Sequence, residues 1–289
     1  MMSPSRLLPA TLALVFALSA AADPLPTGCG KLECPNGDEP ITLFTYKPFG
    51  YNGGPLLVVF HGVNRNAEDY RDFAIALADR YGLMVVAPLF DEDRFPSSRY
   101  QRAGLLDEND NARPPEAWTC AIIPKIVAHV RDLEGDSELP YYLIGHSAGA
   151  QFLVRLAAFM PGDAVRIVAA NPGSDLFPDC EQKYGYGFGG LPGELGNDDV
   201  IRHYLAAPLT FHLGTGDTTP EHGFDASPEG MRQGASRFER GRGCFETARR
   251  IAGERGWDLN WRIVETPGVG HEAARMFAAD EAGDALFGK

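Results

Sequence analysis

The sequence predicts an α/β fold in which a mostly parallel central sheet is covered by helices on both faces. Apolar runs of strand length alternate with amphipathic helical patterns along the chain, and the glycine-flanked pentapeptide at residues 145–149 joins one such strand to one such helix. The length of 289 residues, of which 44% are hydrophobic, suits one large domain. We therefore predict a single domain over residues 23–289, preceded by a signal peptide at residues 1–22.

The strands and helices are predicted from the period of the hydrophobic pattern and from the length of each segment. Short apolar or alternating runs bounded by glycine, proline or charged residues indicate strands, at residues 41–46, 55–60, 83–88, 141–144, 165–170, 209–214 and 261–265. Longer amphipathic stretches indicate helices, at residues 67–81, 115–133, 150–158 and 236–255. In an open parallel sheet the ligand site lies at the carboxyl ends of the strands, so the residues that follow these strands are the candidates for chemistry.

The first 22 residues have the pattern of an export signal. Arg6 gives a positive start, residues 7–21 form an apolar stretch too short to span a bilayer comfortably, and small residues precede Asp23. We expect export to the periplasm or the exterior of a bacterial cell. The net charge of −13 argues against nucleic acid and anionic membranes as partners.

The five cysteines of an exported protein are disulfide candidates. Cys29 and Cys34 enclose a short segment near the mature N-terminus, which favours a local bridge between them. Cys120, Cys180 and Cys244 then allow at most one further internal pair, which the sequence does not identify. No cysteine has a second cysteine or histidine at metal-ligand spacing, so we predict no metal site.

The pentapeptide at residues 145–149 carries the strongest chemical signal. It has the pattern G-x-S-x-G, with Ser147 at its centre, between a buried strand and a helix. Glycines two residues either side are needed because side chains there would collide with the adjoining strand and helix. The pattern therefore predicts a strained turn that presents the Ser147 hydroxyl as a nucleophile, beside the positive end of a helix dipole.

A serine nucleophile needs a histidine base and a carboxylate that orients the base. His271 follows the last predicted strand in a loop with two glycines and is the predicted base. Asp217, after the strand at residues 209–214, is the predicted acid, with Asp175 and Asp225 as alternatives.

Acyl transfer also needs backbone donors for the oxyanion. One predicted donor is the N–H of Ala148, directly after the nucleophile. The second belongs to the loop after the strand at residues 55–60, where we favour the N–H of Val63 and keep Gly62 as an alternative.

Together these motifs resemble those of α/β-hydrolases, and in particular exported esterases grouped with polyhydroxybutyrate depolymerases and feruloyl esterases. The resembling segments are residues 59–62, 65–66, 87–88, 145–149, 214–217 and 267–271. The resemblance implies that Ser147 attacks an ester carbonyl and that water, activated by His271, hydrolyses the acyl-enzyme. It implies neither a cofactor nor a metal. A serine peptidase or amidase on the same fold is the alternative, because its motif would be indistinguishable.

The residues that would bind the substrate are less sharply indicated. Residues 171–196 follow the carboxyl end of a strand and are rich in glycine and aromatic residues. Tyr184, Tyr186 and Phe188 are therefore predicted to line a pocket for a short-chain or aromatic ester, or for a soluble polyester fragment. An equally weighted interpretation is a long loop whose aromatic rings only cover the edge of the sheet.

Overall fold

A computed structural model describes residues 23–220 and 223–288 of the chain. The predicted signal peptide at residues 1–22 lies outside the described residues. The strands form one eight-stranded sheet, and their bounds are β1 Gly28–Cys34, β2 Ile41–Lys47, β3 Leu56–Phe60, β4 Met84–Pro88, β5 Tyr141–His146, β6 Arg166–Ala170, β7 Leu209–Gly214 and β8 Arg262–Thr266. Their order across the sheet is β1-β2-β4-β3-β5-β6-β7-β8. Strand β2 pairs antiparallel with both β1 and β4, and all the other pairs are parallel.

Helices cover both faces of this sheet. Their bounds are α1 Ala67–Phe73, α2 Ile75–Tyr81, α3 Ile122–Glu134, α4 Ala148–Phe159, α5 Asp198–Ala206, α6 Pro228–Gln233, α7 Arg237–Arg255, α8 Ala273–Ala278 and α9 Asp280–Phe287. Successive residues of β3 point to opposite faces of the sheet and so belong to two separate cores. Val58 packs in the core shared with α3, α4, α5 and α7, and Leu57 packs in the core shared with α1, α2, α8 and α9. This arrangement confirms the predicted fold class. None of the described helices is long and apolar enough to cross a membrane.

The predicted strands lie within two residues of the observed bounds, but three helical predictions need correction. The helix predicted at residues 67–81 is two helices, separated at Ala74, whose N–H bonds the carbonyl of Arg71 three residues back and tightens the turn. The helix predicted to begin near residue 115 begins at Ile122, because Trp118 is extended between two short 3-10 turns. Helices α5, α6, α8 and α9 are not predicted.

The N-terminal cysteines contradict the favoured disulfide. Cys29 and Cys34 lie in β1, an extended strand that the Gly- and Pro-rich sequence did not predict, and both are free thiols. Five residues of strand span about 16 Å and place the two side chains on opposite faces of the sheet, well beyond the reach of a disulfide. No disulfide joins any of the five cysteines, all of which lie in the described part of the chain.

Candidate active site

The backbone at Ser147 adopts the sharp turn that the glycine spacing predicts. Ser147 has φ 56° and ψ −115°, a conformation that is strained for a residue with a side chain. A Cβ at Gly145 would lie 2.6 Å from the carbonyl carbon of Gly149, and a Cβ at Gly149 would lie 2.4 Å from the carbonyl oxygen of Phe60. Only glycine fits at either position, so the turn brings β5, α4 and the end of β3 together beneath the serine.

His271 joins the serine to a buried carboxylate. Its Nε2 lies 3.0 Å from Ser147 Oγ, and its Nδ1 lies 2.7 Å from Asp217 Oδ2. Asp217 is 3% exposed, and Arg237 Nη1 lies 3.5 Å from its second carboxylate oxygen. A histidine bonded on one side to a carboxylate and on the other to a hydroxyl can accept the hydroxyl proton.

The two alternative acids occupy other places. Asp175 is completely buried, and neither of its carboxylate oxygens has a hydrogen-bond partner within the described residues. Burial raises the pKa of Asp175 to about 7, although the charges of Arg155 and Arg240 act in the opposite direction. Asp225 accepts a hydrogen bond from the Tyr186 hydroxyl at 2.7 Å. Asp217 is therefore the one of the three carboxylates that contacts His271.

The loop after β3 is held by a buried histidine and a buried tyrosine. His61 Nε2 accepts the N–H of Phe90 at 3.0 Å, so the proton resides on Nδ1, which donates to the carbonyl of Gly62 at 2.9 Å. Burial lowers the pKa of His61 to about 4 and keeps it neutral. A Cβ at residue 62 would lie 2.7 Å from the Tyr70 hydroxyl, so glycine is needed there. Both Gly62 and Val63 line the cleft.

His146 lies between the turn and the base. Its ring centroid is 4.5 Å from that of His271, and its Nδ1 is 3.2 Å from the Tyr70 hydroxyl. Burial, followed by the charges of His271 and Arg237, holds the pKa of His146 well below its usual range. His146 therefore packs as a neutral ring against His271 and adds no positive charge beside the His271 ring.

Asn171 connects the end of β7, three residues before Asp217, to the loop that carries His271. The sequence analysis did not identify it. Its side-chain oxygen accepts the N–H of Gly214, at the end of β7, at 2.7 Å, and its Nδ2 donates to the carbonyl of Gly270 at 2.9 Å. The residue is completely buried with φ 43°, a region that asparagine tolerates better than most residues. Its position directly after β6 was the only sequence signal for it.

The catalytic candidates border a cleft of about 390 Å³. Besides Ser147, His271, Val63 and Ala148, the described residues that line it are Gly62, Asn64, Asn66, Tyr70, Phe73, Gln101, His146, Gln151, Gly173, Gly223, Arg237 and Ala273. The described part of the chain contains no group of three or more histidine, cysteine or acidic side chains placed to hold a metal ion.

The three aromatic residues predicted to line the substrate pocket do not border this cleft. Phe188 is 1% exposed and packs in the core against Phe159 and Tyr204. Tyr184 donates to the carbonyl of Arg102 at 2.6 Å and borders a separate cavity. Tyr186 donates to Asp225. Phe188 and the half-buried Tyr184 pack against the core, and Tyr186 is held by Asp225, contacts with distant residues that a local pattern of glycines and aromatics does not reveal.

Comparisons with known proteins concern the family and the fold. The family model for esterase PHB depolymerases matches residues 43–173. The chain is similar to poly(aspartic acid) hydrolase-1 from Sphingomonas sp. KT-1, with 32% identity, TM-score 0.83, and coverage of 89% of this chain and 98% of that one. It is also similar to LpqC, a poly(3-hydroxybutyrate) depolymerase from Bordetella parapertussis, with 34% identity, TM-score 0.81, and coverage of 89% and 90%.

A more distant likeness concerns the fold alone. FphF, a fluorophosphonate-binding serine hydrolase from Staphylococcus aureus, shares 14% identity at TM-score 0.56, over 89% of this chain and 97% of that one. A comparison with curated protein sequences gives no match. Two relatives above 30% identity, aligned over nearly their whole length, establish the family. The chain belongs to the esterases of the polyhydroxybutyrate depolymerase type, which are serine hydrolases of the α/β-hydrolase fold.

Proposed function

We propose that the protein hydrolyses carboxylic esters through a triad of Ser147, His271 and Asp217. The observation that carries the proposal is the unbroken hydrogen-bonded chain from Asp217 Oδ2 through the His271 ring to Ser147 Oγ, at 2.7 and 3.0 Å. The strained turn that presents Ser147 supports it, since such strain persists only where the surrounding structure holds it.

The chemistry follows from these contacts. His271 takes the proton of Ser147 as Oγ bonds to the ester carbonyl carbon, and the carbonyl oxygen becomes an oxyanion. The N–H groups of Ala148 and Val63 stabilise that oxyanion, with Gly62 as the alternative to Val63, since both line the cleft. The alcohol leaves with the proton from His271, and water that gives a proton to His271 then releases the acid from the acyl-enzyme.

The proposed substrates are short-chain or aromatic esters or soluble polyester fragments. The test is the hydrolysis of p-nitrophenyl esters from acetate to palmitate by the wild-type protein and by Ser147→Ala. We expect turnover of the short chains and a loss of at least about 10³-fold in kcat for the variant, with an unchanged Tm. Activity that survives in Ser147→Ala would disprove the assignment of the nucleophile.

Amide hydrolysis is the second candidate, because one relative at 32% identity is a poly(aspartic acid) hydrolase. Poly(aspartic acid) carries a carboxylate on each repeat, so its binding favours a cationic cleft. Among the described residues that line the cleft, Arg237 is the sole arginine or lysine, and it faces Asp217. The net charge of −13 also repels a polyanion. Release of aspartate oligomers faster than hydrolysis of any neutral ester would reverse this preference.

Export of the protein is proposed from the sequence of residues 1–22 alone. The net charge of −13 is the basis for proposing that nucleic acids and membranes are not partners. The test is expression of the full chain in a bacterial host, followed by fractionation and N-terminal sequencing. Export predicts a mature chain that begins at Asp23 and is recovered outside the cytoplasm. A full-length chain in the cytoplasm would contradict it.

A further inference from the structure

The cleft at Ser147 crosses the end of the sheet from one layer of helices to the other. Phe73 on α1 and Ala273 on α8 pack with the core that contains Leu57, and both border the cleft. Gln151, which also borders the cleft, lies on α4 in the opposite layer. The proposed nucleophile therefore has a different helical layer on each side.

The two sides of the cleft differ in polarity. On the side of α1 and α8 the lining side chains include Tyr70, Phe73 and Ala273, and on the other side they include Gln101 and Gln151. The described lining contains two benzene rings, and both belong to α1. Tyr70 is 6% exposed, whereas Phe73 is half-buried and so keeps ring surface for a ligand. The aromatic surface of the cleft is therefore beside α1.

The proposed base lies on this aromatic side of the cleft. The ring centroids of Phe73 and Tyr70 are 5.5 Å apart. The Tyr70 ring lies 6.4 Å from that of His146, which lies 4.5 Å from that of His271. Ala273 follows His271 by two residues and begins α8. The ring of Phe73 and the start of α8 therefore stand on the same side of the cleft as the imidazole that faces the nucleophile.

We propose that Phe73 is a specificity-determining residue that contacts the alcohol portion of the ester substrate. The inference rests on the proposed function, in which the departing alcohol takes its proton from Nε2 of His271. The alcohol oxygen then lies beside the imidazole, and its carbon atoms extend along the side of the cleft that Phe73 and Ala273 line. An alkyl or aryl group there buries apolar surface against the Phe73 ring. The substrates are therefore esters of apolar alcohols, and the acyl group occupies the side of the cleft that carries Gln101 and Gln151.

The test compares two isomeric esters that differ in which side of the ester bond carries a phenyl ring. Benzyl acetate carries the ring on its alcohol, and methyl phenylacetate carries the ring on its acyl group. The readout is the ratio of kcat/KM for benzyl acetate to that for methyl phenylacetate. We expect a ratio above one in the wild-type protein, a fall of about tenfold in Phe73→Ala, and partial recovery in Phe73→Leu, which restores apolar contact.

Phe287→Ala is the matched control for this ratio. The Phe287 ring is half-buried in the same helical layer, with its centroid 5.0 Å from that of Tyr81, and it does not border the cleft. We expect the ratio of this variant to equal that of the wild-type protein, and the Tm of each variant shows that the fold is retained. A ratio that is unchanged in both Phe73 variants, or that falls equally in Phe287→Ala, would overturn the inference. A loss confined to methyl phenylacetate would also overturn it, because Phe73 would then contact the acyl group.

A binding measurement keeps this inference separate from the proposed function. The two isomers are titrated by NMR into Ser147→Ala and into the double variant that also carries Phe73→Ala. Tighter binding of benzyl acetate that depends on Phe73 supports the inference even if the wild-type protein hydrolyses no ester, an outcome that would refute only the proposed function. Equal binding of the isomers to both proteins, together with an unchanged kinetic ratio, would refute the role of Phe73 while ester hydrolysis stands.

Discussion

The turn at residues 145–149 and the segment at residues 171–196 have similar sequence features, but only the turn presents its predicted side chain to the cleft. Both follow the carboxyl end of a central strand and both are rich in glycine. In the turn, each flanking glycine is required by backbone atoms of the neighbouring strand or helix, and the residue between them faces the cleft. In the segment, Gly187 and Gly189 approach backbone carbonyls of the segment itself, Gly190 and Gly193 have open space and positive φ, and Phe188 enters the core.

This difference shows when a local pattern predicts a site. The turn is specified by contacts among residues that are adjacent in sequence or in paired strands, so its spacing can be interpreted directly. The direction of an aromatic ring in a long loop depends on which residues, distant in sequence, pack against it in the folded protein. Four predictions test the contrast, in order of expected effect.

Gly149→Ala should strongly destabilise the fold and abolish activity. The added Cβ would lie 2.4 Å from the carbonyl oxygen of Phe60, and because this contact is with backbone, neither partner can turn away. We expect a loss of at least about 3 kcal/mol in the free energy of unfolding. The measurement is chemical denaturation with an ester assay, and Gly253→Ala on α7, where an added Cβ meets no atom within 4 Å and φ is not positive, is the control. Similar stability of the two variants would contradict the contrast.

Phe188→Ala should destabilise the protein without altering substrate recognition. The ring is 1% exposed and packs 5.6 Å from Phe159 and 5.8 Å from Tyr204, centroid to centroid. Removing it should lower the free energy of unfolding by about 3–5 kcal/mol. Below the melting temperature, KM should stay within about twofold, and Phe188→Leu should recover much of the stability. A raised KM at unchanged Tm would instead return Phe188 to the substrate pocket.

Asp175→Asn should make the protein less sensitive to alkaline pH. Burial raises the pKa of Asp175 to about 7 in the folded protein, against an ordinary value of roughly 4. Between these values the folded state holds a proton that the unfolded state lacks, so this contribution to stability is full below about pH 4 and is lost as pH rises through about 7. From pH 5 to pH 8 the variant should gain about 2–3 kcal/mol relative to wild type.

The check on Asp175 is the difference in Tm between variant and wild type at pH 5 and at pH 8. The other buried titrating groups, including His61, are present in both proteins and cancel in this difference. A Tm difference that is the same at both pH values would show that Asp175 does not titrate in this range.

Asn171→Gly should lower kcat about tenfold with little change in KM. Glycine tolerates the positive φ of 43°, so the variant removes only the bridge between Gly214 and Gly270 and allows His271 and Asp217 to drift apart. Asn171→Asp keeps an acceptor for Gly214 but no donor for Gly270, and should lose activity as well. Steady-state kinetics at a temperature where both variants are folded is the measurement. A lower Tm with unchanged kcat would limit Asn171 to a structural role.

The sequence by itself determined the alternation of the central strands with helices, the α/β class and the position of the serine turn. These follow from residue periodicity and from steric limits that act within a few residues, which is why the strand from 209 to 214 and the Gly145–Gly149 spacing were correctly interpreted. Edge strand β1 was missed because only its last residue is buried, so its hydrophobic pattern is weak.

Only the tertiary structure decided which of three downstream aspartates contacts His271, how Asn171 joins two loops, and where the aromatic rings of residues 171–196 lie. Asp217 and His271 are separated by 54 residues, and Asn171 reaches a carbonyl 99 residues away. Such contacts depend on the order of strands across the sheet, because neighbouring carboxyl ends bring distant loops together. The serine turn was local enough to infer from sequence, whereas its alignment with His271 and Asp217 is a property of the assembled sheet.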